Sequence, residues 1–101
     1  MKKRYHLLFS KRGWMRYISH LDLLRLFNRA LRRTGIKFYL SEGFNPHPKI
    51  SIKNALKLGI EGNDEEAEFL IEDDIETDVF KERLQQQLPK GIEIGKVKVM
   101  D

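Results

Sequence analysis

The sequence predicts one α+β domain in which two amphipathic helices cover one face of an antiparallel sheet. Segments with apolar residues at every second position, typical of half-buried strands, occur near both ends of the chain. Two segments with apolar residues at helical spacing lie between them. The length of 101 residues is enough for a single small domain and too short for two, so we treat residues 1–101 as one domain.

The first strand is predicted at residues 3–11, where aromatic and leucine side chains alternate with polar ones. Residues 11–13 contain a glycine and indicate a turn. The apolar residues at 14–18 predict a second, short extended segment.

The first helix is predicted at residues 20–34. Ser19 is a good N-cap, Asp22 stands where a capping box has its acidic residue, and Gly35 follows the last helical residue. The stripe expected to be buried consists of Leu23, Leu24, Phe27, Ala30 and Leu31, with Leu26 at its margin. Four arginines share another arc of about 100°. This arginine face consists of Arg25, Arg29, Arg32 and Arg33.

A short extra strand is predicted at residues 36–40, and it is followed by residues 41–49, which we call the proline loop. Pro46 and Pro48 restrict their own backbone angles and those of the residues before them, so the shape of this loop is partly preset. The loop presents Phe44, Asn45, His47 and Lys49. A connector that only turned the chain would not need this set, which favours a surface that contacts a partner. The alternative is a rigid connector with its phenylalanine in the core.

A hairpin is predicted next, with strands at residues 50–60 and 66–72 joined by a turn at 61–64. An irregularity is expected near Asn54.

The second helix is predicted from Thr77, as its cap, to about residue 88. Its predicted buried residues are Val79, Phe80, Leu84 and Leu88, and those of a last strand at 92–100 are Ile92, Ile94, Val97 and Val99. Without the extra strand, the order is β-α-β-β-α-β, the ferredoxin-like plan.

The charge is distributed unevenly along the chain. Residues 1–57 contain 14 Lys/Arg and 2 Asp/Glu, a formal charge of +12, whereas residues 58–101 contain 5 Lys/Arg and 13 Asp/Glu, a formal charge of −8. This asymmetry indicates a polyanionic partner for the first half. The alternative is that the two halves neutralise each other across the fold.

The chain contains no cysteine. It therefore cannot form a disulfide, a thiolate zinc site, a cysteine-ligated iron–sulfur cluster or a cysteine nucleophile from its own residues. No apolar run approaches the length of a signal peptide or a membrane span. We expect a cytoplasmic protein without a membrane partner.

These features predict an RNA-binding surface. The residues expected to contact phosphates are Arg16, Arg25, Arg29, Arg32, Arg33, Lys37 and Lys49. Phe44, together with Tyr17 or Trp14, would stack on bases. Asn45 and His47 would contact base edges or the 2′-hydroxyl.

Two other functions fit the same residues. The proline loop and the basic helix could dock on another protein. His20, Asp22 and His47 could form a metal site with two histidines and one carboxylate, or the two histidines could act as an acid–base pair. Since no nucleophile–base set and no phosphate-binding glycine loop is visible, we expect no enzymatic activity, metal or cofactor of the chain's own.

Two motifs resemble a known family. The segment FSKRGWMRYISHLD with its arginine-rich helix, and GFNPHPKIS at residues 43–51, resemble the radical-SAM-linked domain of unknown function. The matching positions are Phe9, Ser10, Lys11, Arg16, Ser19, His20, Leu21, Asp22, Arg29, Arg32, Arg33 and Gly43 to Ser51, a stretch that includes Pro46 and Pro48. The resemblance covers essentially the whole chain and implies a longer domain, of which this would be the N-terminal portion.

The resemblance implies a radical SAM enzyme as the partner. That partner would carry the iron–sulfur cluster and S-adenosylmethionine, and this cysteine-free chain would be an accessory or substrate-presenting module. Combined with the RNA-binding surface that the residues predict, this gives a module that binds or presents RNA, either tRNA or rRNA. The alternative is a protein-interaction module that docks on the radical SAM enzyme without contacting RNA.

Overall fold

The computed structural model describes residues 3–53 and 62–100, with the backbone alone for residues 62–64. The strands are β1 (Lys3–Lys11), β2 (Ile50–Lys53), β3 (Gly62–Ile71) and β4 (Ile92–Met100). The helices are α1 (His20–Thr34) and α2 (Thr77–Gln86), and a short 3-10 helix, Gly13–Tyr17, precedes α1. Neither α1 nor α2 is long and apolar enough to cross a membrane.

The four strands form one antiparallel sheet in the order β2-β3-β1-β4. The two central strands are β1 and β3, and the strands before and after each helix are separated by one other strand. This is the ferredoxin-like arrangement of two split β-α-β units. The predicted fold class is therefore confirmed.

A chain of five aromatic rings joins both helices to the two central strands. Phe27 of α1 lies 5.1 Å from Phe9 of β1 and 5.6 Å from Phe69 of β3, measured between ring centroids. Phe80 of α2 lies 5.7 Å from Phe69 and 4.7 Å from Tyr5 of β1. All five rings are buried, and such pairs add about 0.5–1.5 kcal/mol each beyond the area that they bury. The core therefore lies between the helices and one face of the sheet.

The first helix has the predicted bounds and caps. Ser19 Oγ accepts a hydrogen bond of 3.1 Å from the backbone N–H of Asp22. Gly35 follows the helix with φ +79°, a left-handed conformation that glycine adopts without a steric cost. Cap and terminator are local chemistry, which explains why they could be read from the sequence.

Two segments before β2 differ from the prediction. Residues 14–17 are not extended, because the 3-10 helix occupies them, and only Ile18, its C-cap, has an extended backbone. The N–H of Met15 donates to the carbonyl of Arg12, and that of Ile18 donates to the carbonyl of Met15. A short apolar run fits either conformation, and these local bonds decide between them. The extra strand at 36–40 is reduced to two isolated bridges, because the chain leaves the sheet edge for the proline loop after only one bridge to β3.

The hairpin also differs. β2 is described from Ile50 to Lys53, and the rest of the predicted strand, with its irregularity near Asn54, lies outside the described residues. The turn predicted at 61–64 is wrong for residues 62–64, because β3 already begins at Gly62. Glycine, asparagine and aspartate favour turns, but pairing with β1 continues to Lys11.

The second helix is shorter than predicted and capped differently. Its N-cap is Glu76 rather than Thr77, without a side-chain cap bond, and it ends at Gln86. Phe80 and Leu84 are buried, whereas Val79 is 37% exposed because the two buried residues already supply the face against the sheet. In β4, Ile92 and Ile94 are buried as predicted, but Val99 near the end of this edge strand is 36% exposed.

Gly91 closely approaches the 3-10 helix, and substitution of this glycine tests that contact. It has φ +103°, and a Cβ atom there would lie 2.7 Å from the Arg12 carbonyl oxygen and 2.8 Å from Met15 Cγ. Gly43 has φ +120° but open space around it. We expect Gly91→Ala to lower the free energy of unfolding by about 2–4 kcal/mol, from strain plus the clash, and Gly43→Ala by only about 1–2 kcal/mol from strain. Urea unfolding followed by circular dichroism measures both, and equal losses would contradict the close approach at Gly91.

Candidate nucleic-acid interface

The arginine face of α1 points away from the core. The packing of Phe27 against the sheet turns the opposite side of the helix to solvent, so Arg25, Arg29, Arg32 and Arg33 are all exposed. Arg25, Arg29 and Arg33 are four residues apart, and residues at this spacing are neighbours on a helix. This arginine row therefore places three like charges side by side, an arrangement that costs a few tenths of a kcal/mol per pair in an isolated helix.

The described carboxylates of the second half of the chain do not pair with the arginine row. Arg25 has one carboxylate partner in the described residues, Asp22 of its own helix, at 3.5 Å. The side chains of Arg29 and Arg33 form no hydrogen bond or ion pair within the described part of the chain. Several of the described carboxylates of the second half have partners elsewhere: Asp74 pairs with Lys3, Glu68 pairs with Lys53, and Glu66 lies 3.8 Å from Nε2 of His6. Within the described residues, the charges of Arg29 and Arg33 are therefore left for solvent or a ligand.

Arg32 has a different role from the other three arginines. Its Nε donates a hydrogen bond of 3.1 Å to Oδ1 of Asn28, one turn earlier in α1. Its guanidinium also lies over the ring of Phe38, 5.7 Å from the centroid. Such cation–π contacts contribute about 0.5–1 kcal/mol at exposed sites. Arg32 therefore has structural partners and holds Asn28 in one orientation.

The proline loop is closed at its base. The N–H of Lys49 donates to the carbonyl of Tyr39 at 3.0 Å, and the N–H of Ser41 donates to the carbonyl of His47 at 2.8 Å. The N–H of His47 in turn donates to Ser41 Oγ at 3.2 Å. Leu70 of β3 bonds both sides of the base, donating to the Lys49 carbonyl and accepting from the Tyr39 N–H, each at 3.1 Å. The loop is thus tied to the edge of the sheet where β2 begins.

The tip of the loop projects into solvent. Phe44 is 105% exposed, so the alternative that placed it in the core is wrong. Asn45, His47 and Lys49 are also exposed, whereas Pro48 is buried and anchors the returning chain. A fully exposed phenylalanine adds little to folding stability, and its ring is accessible to another molecule.

A cleft of about 490 Å³ separates α1 from the proline loop. The residues that line it are Leu21, Leu24, Arg25 and Asn28 of α1, Asn45, Pro46, His47 and Pro48 of the loop, and Ile50. Its size is in the range of small-molecule sites. The fold thus brings Arg25 together with Asn45 and His47, which lie 20 and 22 residues later in the sequence.

The other predicted contact residues lie outside this cleft. Arg16 is half-buried in the 3-10 helix, where its Nη2 donates to the Tyr17 hydroxyl at 2.8 Å and its guanidinium stacks on that ring. Lys37 is exposed, but its backbone N–H donates to a carboxylate oxygen of Asp73 at 2.9 Å, so an acidic group lies beside it. Lys49 lines a second cavity, of about 400 Å³, with Arg4 and residues of β2 and β3.

The histidine alternative is not supported by the geometry. Among the described residues, no group of three histidine, aspartate or glutamate side chains could hold a metal ion, so His20, Asp22 and His47 do not form the metal site considered above. Asp22 is engaged at the N-terminus of α1, through its backbone N–H with Ser19 and its carboxylate with Arg25. His47 lines the cleft, whereas His20 does not.

The open face of the sheet carries no aromatic side chain in its described strands. β1 presents Arg4, His6, Leu8 and Ser10 there, and the neighbouring strands add charged residues of both signs, including Glu66, Lys96 and Lys98. Ferredoxin-like domains that bind RNA on this face stack bases on aromatics. The exposed aromatics of this chain, Trp14, Tyr17 and Phe44, lie off the sheet.

Asn28, Leu21 and Leu24 are cleft residues that the sequence did not predict to contact a ligand. The sequence contained a weak signal for Asn28, which lies three residues after Arg25 and four before Arg32. At this spacing Arg25, Asn28 and Arg32 share the flank of α1 next to the buried stripe. Which flank faces the loop could not be known before the loop was placed.

Comparison with known protein families assigns the chain. Residues 4–101 match a family described as "Uncharacterized protein conserved in bacteria (DUF2344)". The chain belongs to this family. No curated protein and no solved structure matches it. Membership in DUF2344 is consistent with a domain of unknown function and names neither an activity nor a partner, so the link to radical SAM enzymes stays a prediction.

The exposure of Phe44 can be tested by stability measurements on this DUF2344 chain. Since the ring has no contact in the core, Phe44→Ala should change the free energy of unfolding by less than about 0.5 kcal/mol. Phe69→Ala, which empties a buried position, should cost about 3–5 kcal/mol. Urea denaturation compares the two variants, and a loss above about 1 kcal/mol for Phe44→Ala would show that the ring packs inside.

Proposed function

We propose that the chain is an accessory module that binds RNA and presents it to a radical SAM enzyme, without an enzymatic activity of its own. The observation that carries the proposal is the arginine row: three exposed guanidiniums, side by side, beside a closed loop with an exposed aromatic tip. A tRNA or rRNA partner implies a cytoplasmic protein.

The energetics of the arginine row support a polyanionic ligand. Like charges at this spacing destabilise a helix, and the described carboxylates of the second half do not relieve the repulsion at Arg29 and Arg33. Phosphates bound to the row would remove that repulsion, and arginine binds phosphate through a planar fork of donors. The helix therefore retains a small cost in the free protein that a phosphate backbone would offset.

The proline loop supports single-stranded RNA as that ligand. Phe44 offers a ring on which a base can stack, and Asn45 and His47 offer polar groups for base edges or the 2′-hydroxyl. Since the open face of the sheet presents no aromatic in its described strands, we place RNA on α1 and the loop rather than on the sheet.

The resemblance of the SHLD and GFNPHPKIS segments to the radical-SAM-linked domain supports the choice of enzyme. A chain without cysteine cannot hold the cluster through thiolates, so the partner would supply the cluster, S-adenosylmethionine and the chemistry. This chain would supply affinity for the RNA.

The exposed aromatics favour a second candidate function, docking on the radical SAM enzyme without RNA contact. Phe44 is fully exposed and Trp14 is 85% exposed. Aromatic side chains are enriched in protein interfaces, so both could insert into pockets of that enzyme.

Binding of tRNA at low and rising salt tests the RNA proposal. The double variant Arg29→Gln/Arg33→Gln should weaken binding and reduce the log–log salt slope by about 1.4–1.8, the value for two lost phosphate contacts. The matched control is Lys81→Gln/Arg83→Gln, which removes the same charge from exposed positions of α2 and should change the slope little. The free energy of unfolding of both variants should stay within about 0.5 kcal/mol of the wild type.

Equal effects of the two double variants would indicate attraction by net charge alone and would contradict a site at the arginine row. Absence of tRNA binding at low salt would overturn the RNA proposal altogether.

Docking is tested by co-purification with the radical SAM enzyme encoded beside or fused to such domains. If the aromatic tip docks on that enzyme, Phe44→Ala should reduce the recovered complex about tenfold or more, as expected for an interface hot spot. Val79→Ala, an exposed apolar position on α2, serves as the control and should leave recovery unchanged. If both variants recover as much of the complex as the wild-type protein does, docking through the tip is excluded.

A further inference from the structure

We propose that the cleft between α1 and the proline loop accepts one unstacked RNA base, and that it binds the base through donors on the helix and an acceptor on the loop. This inference rests on the proposed RNA-binding function and specifies where a base, as distinct from the phosphate backbone, is bound. The occupant is a nucleotide of a single-stranded segment, because a paired base would first have to be unpaired and unstacked at a cost of a few kcal/mol.

The walls of the cleft suit the faces of a planar base. Leu21 and Leu24 on the helix side lie opposite Pro46 and Pro48 on the loop side, with Ile50 also lining the space. Leu21 is 54% exposed, an apolar side chain that the core does not use. Every base has apolar faces, so such walls bind a base without selecting its identity.

Asn28 presents hydrogen-bond donors to the cleft. An arginine side chain can only donate, so the Asn28 atom that bonds Arg32 Nε at 3.1 Å must be the amide oxygen. The Asn28 amide nitrogen, which carries two hydrogens, is then left for a ligand. Arg25 in the same lining adds further donors, and its one described carboxylate partner is the exposed Asp22 at 3.5 Å.

His47 presents an acceptor from the other side. Its Nδ1 lies 3.1 Å from the Pro48 carbonyl oxygen, and since a carbonyl oxygen can only accept, Nδ1 is the donor of this bond. In the tautomer with its single proton on Nδ1, Nε2 has a lone pair and can accept a hydrogen bond. The hydrogen bonds at the base of the loop hold this ring beside the cleft.

The ligand implied by this arrangement has acceptors on one edge, a donor on another and apolar faces. Nucleobases combine all three in one plane, whereas inorganic phosphate and carboxylates offer acceptors alone. The arginine row on the adjoining surface of α1 is positioned for the phosphates on either side of the bound nucleotide. The base therefore enters the cleft while its backbone lies along the helix.

Two probes of equal charge test the inference: short single-stranded oligoribonucleotides of mixed sequence, and abasic oligomers with the same number of phosphates. If the cleft binds a base, the wild-type protein should bind the RNA about tenfold more tightly than the abasic oligomer at one salt concentration. Asn28→Leu should reduce that ratio at least about threefold and leave affinity for the abasic oligomer unchanged. Arg29→Gln, which alters only the arginine row, should weaken both probes equally.

A second measurement does not depend on affinity changes in a variant. In NMR spectra of the wild-type protein, the side-chain amide signals of Asn28 should shift on addition of the oligoribonucleotide and stay in place with the abasic oligomer. Equal binding of both probes, or the same Asn28 shifts with both, would overturn the base site while leaving RNA binding through phosphates intact. Failure of the wild type to bind either probe would overturn the proposed function and this inference together.

Discussion

The position of Phe27 is the constraint on which the rest of the structure depends. Its ring meets Phe9 and Phe69 edge-on, at 5.1 and 5.6 Å, and these two contacts on adjacent central strands fix the rotation of α1 about its axis. That rotation turns the arginine face to solvent and the flank with Leu24 and Asn28 toward the proline loop. A helix that packed through a broader or more uniform stripe would have several near-equivalent rotations, and the two flanks would not be distinguished.

The proline loop, which forms the other wall of the cleft, is positioned by interactions different from those that position α1. The proline loop is held by backbone hydrogen bonds to Tyr39 and Leu70 at the sheet edge, and by the buried ring of Pro48, rather than by its exposed side chains. Side chains that contribute little to folding are available for contact with a ligand. A rigid loop also loses little conformational entropy when a ligand binds. The cleft thus lies between a wall fixed by core packing and a wall fixed by backbone hydrogen bonds.

The third determinant of the candidate site is the distribution of charge over the fold. The strong charge asymmetry along the chain could have cancelled across so small a fold. In the described residues the carboxylates of the second half instead pair with Lys3 and Lys53 on the sheet, lie near His6, or accept from the backbone N–H of Lys37, and none of them pairs with Arg29 or Arg33. Surface ion pairs of this kind add about 0–1 kcal/mol each to the free energy of unfolding. Their contribution to stability therefore gives little reason for where the carboxylates lie. A basic surface on one side of α1 is the consequence, and it underlies the proposed function.

Local chemistry made part of the molecule predictable. The bounds of β1, α1 and β4, the cap at Ser19 and the terminator at Gly35 follow from alternation, helical periodicity and capping, which act over a few residues. The four arginines on one arc of α1 follow from helix geometry alone. Predictions were less accurate where local signals were weak or shared, as in the apolar residues before α1 that form a 3-10 helix, or in the start of α2.

Long-range packing decided the rest. The cleft joins Arg25 and Asn28 to Asn45 and His47 only because α1 and the sheet edge hold the loop against one flank of the helix, and no local pattern encodes that choice. The exposure of Phe44 and the separation of His20 from the cleft have the same cause. Periodicity and capping thus fix which residues share a helix face, because they depend on neighbours a few positions away. Where that face meets the loop depends on contacts between residues distant in sequence, which exist only once the sheet and helices have assembled.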